Sequence, residues 1–414
     1  MDTFFPKKSE CCFMKKLFIL ILCFVLTSCY DKHEIEEQAF VVVIGLDDSE
    51  KTDGITVTFQ VANPQAGIPN TGGEKEEASE IITFTAPDII TARDLANASV
   101  ARKINFSHTK VMIIGEEFAK TDKAVKFITS SIRDREIRRD IKLIVSKEKA
   151  YDFIKNNDPK LETRPHKFYD LMAGRWEETG LVPLSDLQRF LQRIESKQDA
   201  YLAIYASTEK DEETKEGNED DYLPGQINQI GGNSTQLIGS ALFKDGVMVG
   251  TLSGEETRLS LNLRSKSVAK YMRVSYTDPK NPDYRIGARI TKHRNTQISM
   301  NFDDELKINV LIPLDLEIVS IPSGVNYVTN KDNRELLRTS IEEDLTKKFE
   351  ALIQKTQDKY KTNPFNWSNT VRRHFLTLQE FEAYGFKEKY PNAKVSVKVE
   401  VKFKDFGKQL TPAQ

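Results

Sequence analysis

Ile81-Ile82-Thr83-Phe84, Val111-Met112-Ile113-Ile114 and Ile141-Lys142-Leu143-Ile144-Val145 begin 30 residues apart. Each is short, apolar and rich in β-branched residues, as a strand with little exposed surface should be. Helical stretches near Asp88 to Arg102 and Glu116 to Ser130 separate them. This alternation predicts strand–helix–strand units whose crossovers return to one shared sheet, right-handed because strands twist.

Upstream, Ala39 to Leu46 is a buried-strand run, and Asp47 to Gly54 is polar turn chemistry. Ile55, Val57, Phe59 and Val61 then alternate with polar residues, which gives a strand with one buried and one wet face. Asn63 to Glu80 reads as an exposed loop. Downstream, Tyr151 to about Gly180 is a polar, partly helical connection. Ser185 is the expected N-cap of a helix over Asp186 to Ile194, with Leu187, Phe190, Leu191 and Ile194 on one face. Tyr201 to Ala206 reads as a strand entering a second domain.

Glu209 to Asp221 holds eight acidic residues beside Lys210 and Lys215. With no apolar residue to fix it, the segment is expected to be a solvated loop dispensable for folding, the alternative being a metal or cation site. Gly239 to Leu252 is a hairpin turning at Lys244-Asp245-Gly246, and Gly254 to Leu263 is a short helix.

A third, β-rich region follows, with strands expected at Ser267 to Tyr276, Tyr284 to Thr291 and Ile308 to Ile321. Arg334 to Tyr360 has a helical stripe of Leu337, Ile341, Leu345, Phe349, Leu352 and Ile353, suited to packing across its own sheet or to a partner coiled coil. Lys394 to Lys404 alternates valines with lysines, a strand for a solvated surface or protected edge. The fold class is therefore mixed α/β (α+β), with three domains, each a mixed or antiparallel sheet with packed helices. Their expected extents are 29–180, 181–264 with the acidic loop 209–221, and 265–414 with the long helix 334–360.

Residues 1–28 read as a targeting segment. Lys15-Lys16 precedes the apolar run Leu17 to Leu26, and Thr27-Ser28-Cys29 follows. The run is too short to span a bilayer as a helix. Leu26-Thr27-Ser28-Cys29 resembles the bacterial lipobox, in which the cysteine takes a diacylglyceryl group and becomes the first mature residue; an ordinary signal peptide is the other reading. Met14 is the more typical signal start, so residues 1–13 read as an upstream extension or a start-site error. All four cysteines, Cys11, Cys12, Cys23 and Cys29, lie in this stretch. The folded body therefore has no disulfide framework, no cysteine-ligated metal and no thiol nucleophile.

The 414 residues carry a net charge of −2, so the overall balance offers no electrostatic reason to bind nucleic acid. The five histidines, His33, His108, His166, His293 and His374, have no zinc-ligand spacing, and His33-Glu34-Ile35-Glu36-Glu37 falls one residue short of a metalloprotease signature. Nucleophile-elbow, P-loop and dinucleotide motifs are absent, so no catalytic, cofactor or metal residue is assigned. Carboxylate pairs stay open, because spacing in sequence does not give distance. The dense cluster Arg133 to Asp140 reads as self-neutralising surface pairs or as an anion or lipid-headgroup site.

Cys29-Tyr30-Asp31-Lys32-His33-Glu34-Ile35 before a hydrophobic strand resembles the start of mature Ger(x)C lipoproteins, the C subunits of bacterial spore nutrient-germinant receptors. Further resemblance lies in Arg102 to Lys110 leading into Val111 to Glu117, in the Arg133 to Asp140 cluster, in Ala241-Leu242-Phe243-Lys244 with Val249 to Leu252, and in the terminal Tyr390-Pro391 strand. The segment Asn363-Pro364-Phe365-Asn366-Trp367 departs from the family pattern, as do Phe381 and Tyr384.

The resemblance implies a three-domain, non-enzymatic lipoprotein anchored through Cys29 on the outer face of the cytoplasmic membrane or the spore inner membrane. It also implies two integral membrane partner subunits, of A and B type, and no cofactor. A solute-binding lipoprotein of a transporter and a tethered cell-wall hydrolase are the competing readings.

Overall fold

In the computed structural model, which describes residues 35–50, 53–63, 77–212, 217, 220–266, 271–291, 294–302 and 305–407, the three opening runs join a single sheet. Its strands are β1 (Gln38–Asp48), β2 (Ile55–Ala62), β3 (Ser79–Ala86), β4 (Lys103–Asn105), β5 (Val111–Gly115), β6 (Lys142–Ser146), β7 (Tyr201–Ser207), β8 (Gln236–Lys244) and β9 (Val247–Leu252). The order is β3-β2-β1-β5-β6-β7-β8-β9, with β4 beside the start of β1. The centre β1-β5-β6-β7 is parallel, and antiparallel pairs flank it on both sides.

Local chemistry sets the helix limits. Asp88 caps the helix Ile89–Asn97, accepting from Thr91 N at 2.7 Å. That helix stops short of Arg102 because Asn97 Oδ1 takes Ile104 N at 2.8 Å and starts β4. The stretch from Glu116 is two helices, Glu116–Ala119 and Asp122–Ser131, because Thr121 adopts an extended conformation and re-caps the chain. Ser185 is not the cap of the next helix. Asp186 accepts from Arg189 N at 2.9 Å and begins Leu187–Ser196, while Ser185 Oγ bonds Leu143 O at 2.5 Å and the Tyr201 hydroxyl at 2.7 Å.

Among the described residues, 181–264 form no sheet of their own, contrary to expectation. β7 pairs parallel with β6 and antiparallel with β8, so β7 to β9 extend the first sheet. The reason is visible in β7, which is buried at every position. A strand of a small separate sheet would keep one face wet; this one lies between neighbours and under helices. The β8–β9 turn holds Asp245 at φ 53° and Gly246 at φ 87°, the positive pair that a two-residue hairpin requires.

The second sheet contains β10 (Tyr271–Thr277), β11 (Arg285–Thr291), β12 (Gln297–Asn301), β13 (Lys307–Ser320) and β14 (Lys394–Asp405). β13 is its spine: β14 runs parallel along one side, and β12 and β11 share the other. In β14, Val397, Val399 and Val401 are buried while Lys394, Lys398, Lys402 and Lys404 are exposed. The long helix spans Lys331–Lys355 and continues as a π turn through Tyr360. Its six stripe residues are all buried, and Glu342 Oε1 accepts from Val401 N of β14 at 2.8 Å. It is therefore a helix packed on its own sheet.

One apolar core unites this second sheet with Leu202, Leu242 and Leu252 of the first, with Ala200 just before β7, and with Leu259 and Leu263 of the helix Gly254–Leu263. Gly250 of β9 is a close-approach point in that contact. A Cβ there would lie 2.3 Å from Tyr360 Cε1, and the Tyr360 hydroxyl donates to Thr251 O at 3.1 Å. Gly250→Ala is expected to cost about 1–3 kcal/mol by overpacking, read as a lower denaturation midpoint; an unchanged midpoint would mean that this contact yields freely.

Candidate functional site

Open sheets with a parallel centre usually bind ligands beyond the carboxyl ends of those strands. Here Asp47, Glu116 and Glu148, the carboxylates nearest the strand ends, are committed to the fold. Asp47 accepts from Ala150 N at 2.8 Å and Tyr151 N at 3.1 Å, capping the helix Ala150–Asn156, and burial pushes its pKa up. Glu116 accepts the Tyr205 hydroxyl, whose own pKa is pushed up by burial and then by Glu116. Glu148 takes Ser207 Oγ at 2.9 Å, Thr208 N at 2.7 Å and Thr208 Oγ1 at 2.6 Å. Lys123 pairs with Asp48 at 2.6 Å, Lys149 with Glu50 at 2.8 Å, and Lys147 with Asp211.

The densest buried polar cluster instead joins the two sheets. Asp199, just before β7, accepts from Asn363 Nδ2 at 2.7 Å, Ser368 N at 3.3 Å, Ser368 Oγ and Arg193 Nη1 at 3.2 Å. Burial pushes its carboxyl pKa up, against the opposing pull of Arg193 and Ser368. Arg193 also donates to Asn366 Oδ1 at 2.7 Å, and Ala200 N to Asn363 O at 2.8 Å. Arg264 donates to Pro364 O at 3.3 Å, its pKa pushed down to about 10 by burial and then by Arg193. Trp367 Nε1 donates to Leu263 O at 2.9 Å. The segment Asn363 to Ser368 is thus a strap that ties the end of the long helix to the start of β7.

A second buried ion pair is made by Arg258 of the helix Gly254–Leu263. Arg258 reaches Asp220 and Arg273 O at 2.9 Å and Thr179 O at 2.8 Å. It lines a cavity of about 40 Å³ with Tyr276, Glu255 and Lys348, the last two paired at 2.5 Å. The buried Tyr276 hydroxyl has no hydrogen-bond partner among the described residues. The space is enough for a few water molecules, which would complete that hydroxyl.

Cys29, the one site residue expected from sequence, lies outside the described residues, as do His33 and His293. The other histidines sit in unrelated surroundings: His108 stacks on Phe40, His374 packs on Phe302, and burial pushes the His166 pKa down. Among the described residues, no group of three or more His, Cys, Asp and Glu is placed to hold a metal ion. No described helix is long and apolar enough to cross a membrane. The acidic loop falls partly outside the described residues, yet its ends are built in, through Asp211 with Lys147 and Asp220 with Arg258. Deletion of the whole segment would therefore leave the buried Arg258 without its carboxylate partner. No local pattern marked Asp199: Arg193 is six residues away, but its other partners, Asn363 and Ser368, lie more than 160 residues away.

Comparison with known proteins agrees with this architecture. The chain matches the spore germination protein N-terminal domain over residues 31–206 and the spore germination B3/GerAC-like C-terminal family over 238–407. The first match ends in β7 and the second begins in β8, so both contribute to the first sheet. The putative spore germination protein YfkR of Bacillus subtilis (strain 168) is 23% identical over 387 residues, 91% of this chain and 92% of its own length. Spore germination protein KC of the same organism is 27% identical over 142 residues, 33% of this chain and 34% of its own length. The crystal structure of the GerBC protein shares the fold, with a TM-score of 0.53 and 16% identity over 87% of this chain and 96% of that one. Two family matches in order along one shared fold place this chain in the Ger(x)C family of spore germination proteins.

Proposed function

We propose that this chain is the lipid-anchored C subunit of a spore nutrient germinant receptor. In this reading a diacylglyceryl group on Cys29 holds it on the outer face of the cytoplasmic membrane and, in the spore, on the inner membrane. It acts through contacts with two integral membrane subunits and catalyses no reaction. The observation that carries the reading is Leu26-Thr27-Ser28-Cys29, placed about nine residues ahead of β1 in a chain of this family. One acyl chain binds a membrane marginally, whereas the two of a diacylglyceryl group anchor it stably at about 0.8 kcal/mol per buried methylene.

The non-enzymatic role is supported by the carboxyl end of the parallel strands, where the named carboxylates serve caps, hydroxyls and lysines. A solute-binding lipoprotein would need two similar lobes with a cleft between them. Here a mixed sheet and a dissimilar second sheet share one apolar core. The anchor is tested by the mass of the N-terminal peptide from membrane-extracted protein. A peptide beginning at Cys29 and carrying the mass of a diacylglyceryl group is expected; an unmodified Cys29 would overturn the reading.

A further inference from the structure

The sequence cluster Arg133 to Asp140 looks self-neutralising, but the fold separates its charges. Asp134 and Glu136 turn inward to Arg93, at 3.0 and 3.5 Å, and Glu136 also accepts from Phe106 N at 2.8 Å. Arg138 engages Asp140 with two hydrogen bonds, at 2.9 and 2.7 Å. With the acids satisfied, Arg133, Arg135 and Arg139 stay exposed, and the only side-chain partner of Arg139 among the described residues is Gln188 Oε1 at 3.3 Å. Arg102, Lys103 and Lys142 stand close by, also without a carboxylate partner among the described residues.

Strand polarity decides which way this surface faces. β1, β5, β6 and β7 are parallel, so their amino ends lie together. Lys103 pairs with Gln38 at the first position of β1, Lys142 opens β6, and the Arg133 to Asp140 segment leads into it. The chain enters β1 from the same end. About nine residues separate Cys29 from β1, and fully extended they reach at most about 30 Å. A lipid on Cys29 therefore holds the amino end of the sheet near the bilayer. Glu36, Glu37, Glu77 and Glu80 lie on the β1–β3 side of this end, and on the β4–β6 side the exposed Asp94 and the paired acids are outnumbered by the basic residues named above.

We propose that the amino end of the first sheet, on its β4–β6 side, is a membrane-facing surface that takes anionic phospholipid headgroups. This rests on the anchor reading for its orientation. The surface orients the tethered body on the bilayer, so that the opposite end and the second sheet are turned toward partners.

The test removes the anchor. Every described contact lies between residues 35 and 407, so a chain beginning at Tyr30 keeps them all. Its co-sedimentation is measured with vesicles of phosphatidylcholine alone and with one third phosphatidylglycerol. Binding to the anionic vesicles only, weakened by salt, is expected. A basic residue at an anionic surface is worth about 1 kcal/mol, or about fivefold in affinity. Arg133→Glu with Arg135→Glu should therefore lower binding at least tenfold.

The control, Lys149→Glu with Lys347→Glu, makes the same change in net charge at the other end. Lys149 follows β6, and Lys347 adjoins Lys348, which pairs with Glu255 beyond the carboxyl end of β9. It should leave binding within twofold. All four side chains are exposed, and Arg133→Gln with Arg135→Gln replaces the reversal should its melting curve shift. Equal binding to both vesicles, no binding, or equal losses in the two double variants would each overturn the surface. Because this chain lacks Cys29, such a result leaves the anchor standing, and an unmodified Cys29 found by mass would remove the anchor alone.

Discussion

Cys29→Ala should shift the protein from the membrane to the soluble fraction and slow nutrient-triggered germination at least tenfold. Residues 35 to 407 hold every described contact of the fold, and on the proposed reading the lipid acts on the protein's location. Its contribution is concentration: tethering to the surface that holds the partners raises apparent affinity about 10²–10⁴-fold without any new contact. The variant should therefore melt like the parent while failing in the spore. Membrane fractionation, a melting curve and a germination time course read the three parts separately. Unchanged germination with the protein soluble would remove the anchor from the mechanism.

Asp199→Ala should be the most costly single change in the folded body. Its carboxylate answers Arg193, Asn363 and Ser368, and its removal leaves Arg193 and the buried Arg264 facing each other. Breaking a buried ion pair from one side costs about 3–5 kcal/mol. The loss should appear first at the strap, where Trp367 is fully buried and reports through its fluorescence in a urea titration.

Asp199→Asn should cost less, because burial raises the folded pKa of this carboxyl. The folded chain then holds the proton more tightly than the unfolded one. The contribution of Asp199 to stability is therefore greatest below the ordinary carboxylate range and falls as pH rises through the window up to the folded pKa. Asn carries no charge, so the parent should lose stability relative to Asp199→Asn across that window. Equal pH profiles for the two would contradict the assignment.

The parts of the fold legible in sequence are those set by local periodicity. The runs at Val111 and Ile141, the Asp245-Gly246 turn and the six-residue stripe of the long helix all fold as their patterns require. Ser185 and Asp186 show where local reading stops. Both are good caps, and the choice was made by Leu143 and Tyr201, which capture the serine hydroxyl from a distance. β7 was legible as a strand but not as a member of the first sheet, because pairing with β6 is a tertiary choice. β12, Gln297–Asn301, alternates polar and apolar residues strictly, but over only five positions and with no fully buried one, too short a run to stand out. The Asp199 joint and the split charges of Arg133 to Asp140 depend on partners brought in by topology.

The central claim is that this chain works as one subunit beside two integral membrane proteins. Its most direct test is affinity capture from detergent-solubilised spore inner membranes, followed by identification and quantification of co-purifying proteins. Two polytopic proteins in constant ratio to the captured chain are predicted. Recovery of the lipidated chain alone, under mild detergent and at native abundance, would contradict the claim.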